Sequence, residues 1–340
     1  MTALRARSPI GIGTYLGPDD DETDALYTEA IARALDAGID VIDTSINYRS
    51  QRSERVIGAV LREAIAAGRL RREDVLVASK AGYVPYDGKR PYHYPTYVEA
   101  TYLRPGIIPW DELVNGSHCM APRFLLDQID RSRRNLGLDT IDIYYLHNPE
   151  SGMEDIDPGL FRARVRNAFA AFEQAVSDGK IGCYGVATWH GLRKAPGHAP
   201  HQSLAEFAGL AREVAGDAHH LKVVQLPYNL ALIEAFAADT QEMGDRLVPL
   251  LQCAADLGIH VFCSAPLLQG QLAEGLPEHL RAALGLRTDP QRAVQFVRST
   301  PGVGTTLVGM KRAAHVDEAI EVMRAPPLAA EAIRALFVED

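Results

Sequence analysis

Four polar residues with acid–base side chains each follow a short apolar run. They are Asp43, Tyr48, Lys80 and His147. Asp43 ends the first run and Tyr48 lies five residues beyond it, while Lys80 and His147 end two later runs. The runs are typical of buried strands. Functional groups at the C-terminal ends of successive strands are the pattern of a (β/α)8 barrel active site, and a carboxylate, a phenol, an amine and an imidazole gathered there could transfer a proton.

Each of the four residues also has an ordinary structural explanation. An aspartate at a strand end often caps a turn, a tyrosine packs, a lysine is solvated, and a histidine can bond the backbone of a loop. The combination of all four at matching positions favours a shared site over four separate structural roles.

Bulk composition excludes several classes of protein. The chain has 340 residues, of which 47% are hydrophobic and 23% charged, as in soluble globular proteins. A net charge of −9 argues against nucleic-acid binding. We expect no membrane partner, because no apolar run is long enough to span a bilayer, and a cytoplasmic location, because the N-terminus lacks a signal core. The four cysteines have no metal-ligand spacing, and the adjacent His118 and Cys119 lack a partner pair, so no metal site is expected.

Eight short β-like runs recur along the chain with amphipathic segments between them. The runs centre near residues 10–12, 41–42, 75–77, 143–145, 184–186, 223–224, 261–262 and 306–308. Most are apolar throughout, as expected for parallel strands covered by helices. Four of the amphipathic segments are followed by Gly38, Gly68, Gly137 and Gly179, which are typical helix stops. This βα order predicts an α/β fold, a (β/α)8 barrel that forms a single domain over residues 1–340.

Residues 81–120 interrupt this regular spacing after the third strand. The segment is rich in tyrosine and proline and contains Trp110, which is not the composition of a flexible linker. Because it starts at the C-terminal end of a strand, we expect it to fold over the mouth of the barrel as a lid or specificity element. The alternative is a packed surface excursion.

Eight stretches of the chain resemble motifs of the aldo-keto reductase family. The four acid–base residues occur in that family's order, and the resemblance covers nearly the whole chain. The stretches are residues 11–15 (GIGTY), 43–48 (DTSINY), 53–58 (SERVIG), 79–80 (SK) with 139–149, 224–229 (VQLPYN), 266–270 (PLLQG) and 308–312 (VGMKR). The resemblance implies NADPH-dependent reduction of an aldehyde or ketone, so the expected partner is a small-molecule carbonyl substrate.

The resemblance also implies a role for each of the four residues. Tyr48 would give the new alkoxide its proton. A nearby ammonium lowers the pKa of a phenol, so we expect Lys80 to make Tyr48 a better acid. Asp43 would keep Lys80 charged, and His147 would position and polarise the carbonyl oxygen.

The cofactor implied by the resemblance is NADP(H), laid across the barrel mouth. No Gly-x-Gly-x-x-Gly follows a strand, so a Rossmann site is not indicated. The residues that the resemblance assigns to the nucleotide are Gly13, Thr14, Tyr15, Asp43, Thr188, Gln225, Ser264, Pro266, Leu267, Gln269, Gly270, Gly309, Lys311, Arg312, His315 and Glu318. Gln225 would bind the carboxamide, the loop at 266–270 the diphosphate, and the segment at 309–318 the adenine and 2′-phosphate.

The chain departs from the family pattern in three places. Ala187-Thr188 stand where the family usually has Ser-Asn, Ser264 where it commonly has a tyrosine that stacks on the nicotinamide, and Ala319 where it has an asparagine. Trp189 could supply the missing aromatic surface. The departures keep two alternatives open: an enzyme that uses the four residues for elimination or isomerisation, and a protein that senses a nucleotide without turnover.

Overall fold

Apolar runs with the composition of buried parallel strands form a closed barrel. The computed structural model describes residues 7–153 and 156–337. Its strands are β1 (Ile10–Gly13), β2 (Val41–Asp43), β3 (Leu76–Ala81), β4 (Ile141–His147), β5 (Ile181–Ala187), β6 (Leu221–Pro227), β7 (Asp239–Met243), β8 (Arg246–Pro249), β9 (His260–Ser264) and β10 (Thr305–Gly309). Within the described ranges, eight parallel strands close the barrel in the order β1-β10-β9-β6-β5-β4-β3-β2, while β7 and β8 form a separate antiparallel hairpin.

Helices lie between the strands, and four of them match the amphipathic segments that are followed by Gly38, Gly68, Gly137 and Gly179. They are α1 (Asp21–Asp36), α2 (Arg52–Ala66), α3 (Tyr94–Val98), α4 (Pro122–Leu136), α5 (Pro158–Ser177), α6 (Leu204–Ala215), α7 (Glu234–Ala237), α8 (Leu250–Asp256), α9 (Glu278–Leu284), α10 (Asp289–Ser299), α11 (Ala313–Arg324) and α12 (Ala330–Ala335). Asp20 caps α1 by accepting a hydrogen bond from the Thr23 amide, and Gly137 ends α4 in the left-handed conformation. The predicted (β/α)8 barrel is confirmed.

The interior of the barrel explains where the candidate site lies. One buried cluster fills it, and its members include Val41, Ala78, Tyr145, Val223 and Phe262. Side chains two residues apart on a strand face the same side of a sheet. Asp43, Lys80, His147, Gln225 and Ser264 each follow one of these cluster members by two positions. They therefore form the top layer of the barrel interior, at the C-terminal ends of the strands.

Residues 81–120 pack onto the barrel instead of extending from it. Tyr102, Ile108 and Cys119 are fully buried in the core between the strands and helices. A row of edge-to-face contacts joins Tyr86 to Tyr97, Tyr97 to Tyr102, and Tyr102 to Phe124 of α4. Such aromatic pairs stabilise packing beyond the area they bury. Tyr86, Tyr97 and Tyr102 therefore hold this segment against the body of the protein, whereas Tyr92 is exposed.

No helix within residues 7–153 and 156–337 is long and apolar enough to cross a bilayer.

Candidate active site

Lys80 is the centre of a buried cluster of hydrogen bonds. Its ammonium nitrogen lies 2.7 Å from Oδ2 of Asp43, 2.8 Å from the carbonyl oxygen of Thr44 and 3.4 Å from the hydroxyl of Tyr48. It also lies 4.9 Å from the centre of the Tyr48 ring. The Lys80 side chain is 0% exposed and that of Asp43 is 8% exposed. The ammonium is thus fixed by three oxygen atoms, one of which belongs to the phenol.

The carboxylate of Asp43 is held from two sides. Lys80 occupies Oδ2, and the side-chain amide of Gln225 donates a 2.7 Å hydrogen bond to Oδ1. Two donors therefore fix both oxygens of one buried carboxylate. Gln225 lies on β6, so this bond runs across the barrel from the strand that carries Asp43. Gln225 therefore has its nitrogen committed to Asp43 and its oxygen left for another partner.

The pKa values of Tyr48 and Lys80 are set mainly by burial. Burial raises the pKa of Tyr48 well above its usual value of 10, and the Asp43 carboxylate adds to the rise. Burial lowers the pKa of Lys80 from 10.5, while Asp43 opposes the fall. The lowering of the Tyr48 pKa that was expected from Lys80 does not prevail, because burial and Asp43 raise that pKa above its usual value. Asp43 lies closer to the ammonium than Tyr48 does, so it offsets the positive field at the phenol.

His147 is neutral at physiological pH in this environment. Burial lowers its pKa well below 6.5, and the charges of Lys80 and His118 act in the same direction. Its ring lies edge-on to Tyr48, with 5.9 Å between the ring centres. Nδ1 of His147 lies 3.2 Å from Oγ of Ser45. One ring nitrogen is thus occupied by protein, and the other remains for a ligand.

The insertion contributes two residues that contact His147. The Tyr83 ring lies edge-on to His147, at 5.2 Å between centres, and His118 donates from Nε2 to the His147 carbonyl oxygen at 2.8 Å. This approach requires glycine at position 82, because a Cβ there would clash with the same carbonyl oxygen. No cluster of three or more potential metal ligands occurs in the described parts of the chain. His118 instead supports the backbone of His147.

A cavity of about 830 Å³ opens above the four residues. Tyr48, His147 and Asp43 line it, whereas Lys80 lies behind them. Of the residues assigned to a nucleotide by resemblance, those that line the cavity are Gly13, Thr14, Tyr15, Asp43, Thr188, Gln225, Ser264, Pro266, Leu267, Gln269, Gly270, Gly309, His315 and Glu318. Lys311 and Arg312 do not line it. They immediately precede α11, and Arg312 is exposed.

The cavity also contains residues that the sequence analysis did not select. Asn47 and Asn148 directly precede or follow the candidate acid–base residues Tyr48 and His147, and Tyr83 lies three residues beyond Lys80. Their proximity in sequence was a usable signal, because side chains next to a strand end share the mouth of the barrel. Within residues 81–120, all of which the structure describes, Tyr83 alone lines the cavity.

Two polar atoms beside the four residues could bind an amide. Oγ1 of Thr188 is buried and has no hydrogen-bond partner among the residues that the structure describes. Gln225 faces the barrel interior from β6. It pairs in register with Ala187 on β5, and Thr188 is the next residue. A buried hydroxyl without a partner is costly, which points to a ligand as its partner. Thr188 and Gln225 together offer a hydroxyl and an amide oxygen.

The far end of the cavity is formed by α10 and α11. Thr288 caps α10 and donates a 2.8 Å hydrogen bond to Oε2 of Glu318 on α11. Glu318 and His315 line the cavity, and Ala319 beside them is small and buried. The far end therefore carries the fixed carboxylate of Glu318. The positively charged Lys311 and Arg312 precede the same helix, α11.

Comparison with known proteins gives the family. The model of the aldo/keto reductase family matches residues 9–336. D-threo-aldose 1-dehydrogenase from Pseudomonas sp. is 29% identical over 179 residues, which cover 50% of this chain and 44% of that protein. The chain thus spans less than half the length of the curated relatives it matches.

Two solved structures share the fold. Aldo-keto reductase AKR11C1 from Bacillus halodurans, in its holo form, has a TM-score of 0.65 at 20% identity, covering 97% of this chain and 92% of that one. An aldo/keto reductase from Klebsiella pneumoniae in complex with NADP and acetate has a TM-score of 0.62 at 21% identity, covering 97% and 90%. Since the family model spans nearly the whole chain, the protein belongs to the aldo-keto reductase family.

Proposed function

We propose that this chain is an NADPH-dependent oxidoreductase that reduces an aldehyde or ketone, with Tyr48 as the proton donor. The observation that carries the proposal is the Tyr48 hydroxyl 3.4 Å from the Lys80 ammonium, which Asp43 holds at the floor of the cavity. Family membership supports the reaction class.

The cavity fits the cofactor that the proposal requires. The Thr188 hydroxyl, for which the described residues supply no partner, and the side-chain oxygen of Gln225 would bind the nicotinamide amide. The loop at Pro266–Gly270 would bind the diphosphate, and the far end at His315 and Glu318 would bind the adenosine. The solved relative with bound NADP supports this choice of nucleotide. When bound, NADPH supplies the hydride that the carbonyl carbon accepts.

Tyr48 then donates its proton to the carbonyl oxygen, which carries the electron pair released from the carbonyl bond. A raised pKa keeps Tyr48 in its acid form before this step. After this step the phenolate faces the Lys80 ammonium, and their electrostatic attraction is strong because the site has a low dielectric constant. Lys80 thus acts by stabilising the charge that develops during proton transfer. Solvent returns the proton to Tyr48 after product leaves.

We infer that the substrate is neutral. The substrate side of the cavity is lined by aromatic rings and by the amides of Asn47 and Asn148, while Asp43 is already paired with Lys80. Tyr83 gives the insertion a direct part in shaping this side. The aromatic residues concerned are Tyr15, Tyr48, Tyr83 and Trp189. The similarity to D-threo-aldose 1-dehydrogenase places aldoses among the first substrates to test.

A nucleotide titration followed by a substrate panel tests the proposal. NADPH and NADH are added while protein fluorescence is followed, and then neutral aldoses, aromatic aldehydes and carboxylated aldehydes are assayed. We expect binding of NADPH, turnover of neutral carbonyls, and loss of turnover in Tyr48→Phe with nucleotide affinity retained. Turnover that survives Tyr48→Phe would overturn the assigned acid, and nucleotide binding without any turnover would favour a sensor.

The part of the insertion is tested separately with Tyr83→Ala. We expect this change to alter the ranking of substrates through KM, because only the substrate side is enlarged. An unchanged ranking would exclude Tyr83 from substrate selection.

A further inference from the structure

Ser45 links the two groups that contact the cavity beside Tyr48. Its hydroxyl oxygen lies 3.2 Å from Nδ1 of His147 and 2.5 Å from the side-chain oxygen of Asn47. A third neighbour is the backbone oxygen of Lys80, at 3.2 Å. Ser45 itself is 0% exposed, so water does not compete for these contacts. One buried hydroxyl therefore connects the imidazole, a cavity-lining amide and the backbone of the strand that carries Lys80.

The number of protons in this cluster restricts its arrangements. A neutral imidazole carries one proton, and the Ser45 hydroxyl carries one. If Ser45 donates to an oxygen of Asn47 or Lys80, Nδ1 of His147 must donate to Ser45, and Nε2 then has only a lone pair. If the Asn47 amide turns so that its nitrogen donates to Ser45, the hydroxyl can donate to Nδ1, and Nε2 carries the proton. The two amide orientations have the same shape.

Only the second arrangement presents a donor to a carbonyl oxygen. The bond at Nδ1 decides which nitrogen of a histidine is protonated, and that nitrogen is the one through which the ring acts. We propose that Ser45 is a positioning residue that, with the Asn47 amide, fixes His147 as the tautomer protonated at Nε2. The inference rests on the proposed function for its purpose, since a hydrogen bond to the substrate oxygen is what the tautomer supplies.

Asn47 couples this choice to ligand binding. It lines the cavity, so a substrate hydroxyl or carbonyl can contact the amide from the side opposite Ser45. A ligand group that accepts from Asn47 and one that donates to it favour opposite amide orientations. The site therefore favours substrates whose contact with Asn47 leaves the amide nitrogen turned toward Ser45.

Nuclear magnetic resonance of the imidazole nitrogens tests the inference without any substrate. The protein is labelled with ¹⁵N-histidine, and the signal of His147 among the 11 histidines is assigned by its loss in His147→Asn. We expect the Nε2-protonated pattern in the unmodified protein and in Ser45→Thr, and a mixture of tautomers in Ser45→Ala. The same tautomer ratio in the unmodified protein and in Ser45→Ala would overturn the inference, as would an Nδ1-protonated ring in the unmodified protein.

Kinetics give a second readout if the chain reduces carbonyls as proposed. Loss of one buried hydrogen bond should lower kcat of Ser45→Ala about five- to tenfold, with nucleotide affinity unchanged and most of the rate restored in Ser45→Thr. A loss that Ser45→Thr does not restore would contradict the inference. Ser299→Ala is the matched control, because Ser299 is also buried and bonded but its partner is the Leu328 amide outside the cavity. An inactive chain would overturn the proposed function, while the tautomer measurement would still decide the role of Ser45.

Discussion

The ammonium nitrogen of Lys80 lies 3.4 Å from the hydroxyl of Tyr48, yet its shorter contact, at 2.7 Å, is with Asp43. Lys80 is therefore first the partner of a carboxylate and only second the partner of the phenol. The order of these contacts decides what the lysine can do. It cannot strongly acidify Tyr48 at rest, but it is in place when negative charge appears on the phenol oxygen.

Removing Lys80 should destabilise the fold as well as abolish turnover. Lys80→Met leaves the Asp43 carboxylate buried and unpaired, and breaking a buried pair in this way costs about 3–5 kcal/mol. Urea unfolding should therefore show a much lower midpoint for Lys80→Met. The double variant Asp43→Asn/Lys80→Met should recover part of this stability and none of the activity. Equal stability of Lys80→Met and the unmodified protein would mean that the pair does not contribute to folding.

The rate of reduction should not change near pH 6.5. A free imidazole would titrate there, but burial lowers the pKa of His147 well below 6.5, so the ring is neutral on both sides of that pH. On the alkaline side Tyr48 stays protonated past pH 10, and a loss of rate there would follow Lys80, whose pKa burial lowers from 10.5. Measurement of kcat/KM from pH 5.5 to 10 checks both limbs. A titration centred at 6.5 that disappears in His147→Gln would refute the neutral ring.

Thr188→Val should have opposite effects on folding and on cofactor binding. Its Oγ1 is buried without a partner among the described residues, so replacing the hydroxyl with a methyl group should leave the stability unchanged or raise it. If the hydroxyl binds the nicotinamide amide, NADPH affinity should fall about tenfold, as for loss of one buried hydrogen bond. Thermal unfolding and nucleotide titration measure the two effects.

Thr306→Val provides the control for that experiment. Thr306 also has a buried hydroxyl for which the described residues provide no partner, but it does not line the cavity. Its replacement should affect stability in the same direction and leave NADPH affinity unchanged. Equal losses of affinity in both variants would show that the effect of Thr188→Val is structural.

The barrel and the positions of the four acid–base residues could be predicted because both depend on local pattern. Apolar runs identify the strands, and the strand period of two places Asp43, Lys80 and His147 on the interior face. The alternation that fixes Val41 and Tyr145 inside the barrel fixes these residues above them. The order of the strands and their period of two therefore place these residues at the mouth of the barrel.

The electrostatics and the insertion could not be predicted in this way. The direction of the pKa shift at Tyr48 depends on burial and on the nearby Asp43 carboxylate, which no spacing reveals. The contact between Ser45 and His147 joins residues 102 positions apart. The composition of residues 81–120 indicated an ordered segment, but its buried tyrosine, Tyr102, packs in the core, and Tyr83 alone of these residues lines the cavity. Long-range contacts decide each of these features.

The buried His118 should make the protein less stable as the pH falls from 6.5 to about 4. Burial lowers the pKa of His118 to about 4, so the unfolded chain takes up a proton near pH 6.5 while the folded protein does not. The contribution of this residue to the free energy of unfolding is therefore unchanged above pH 6.5. It falls by about 3 kcal/mol as the pH drops toward 4. In His118→Gln, the amide can still donate to the His147 carbonyl oxygen, and position 118 no longer carries a titratable group.

Urea unfolding at pH 7, 5.5 and 4.5 should therefore give a shallower loss of stability in His118→Gln. The exposed His279→Gln should follow the unmodified protein, and parallel curves for all three proteins would exclude His118 as the cause.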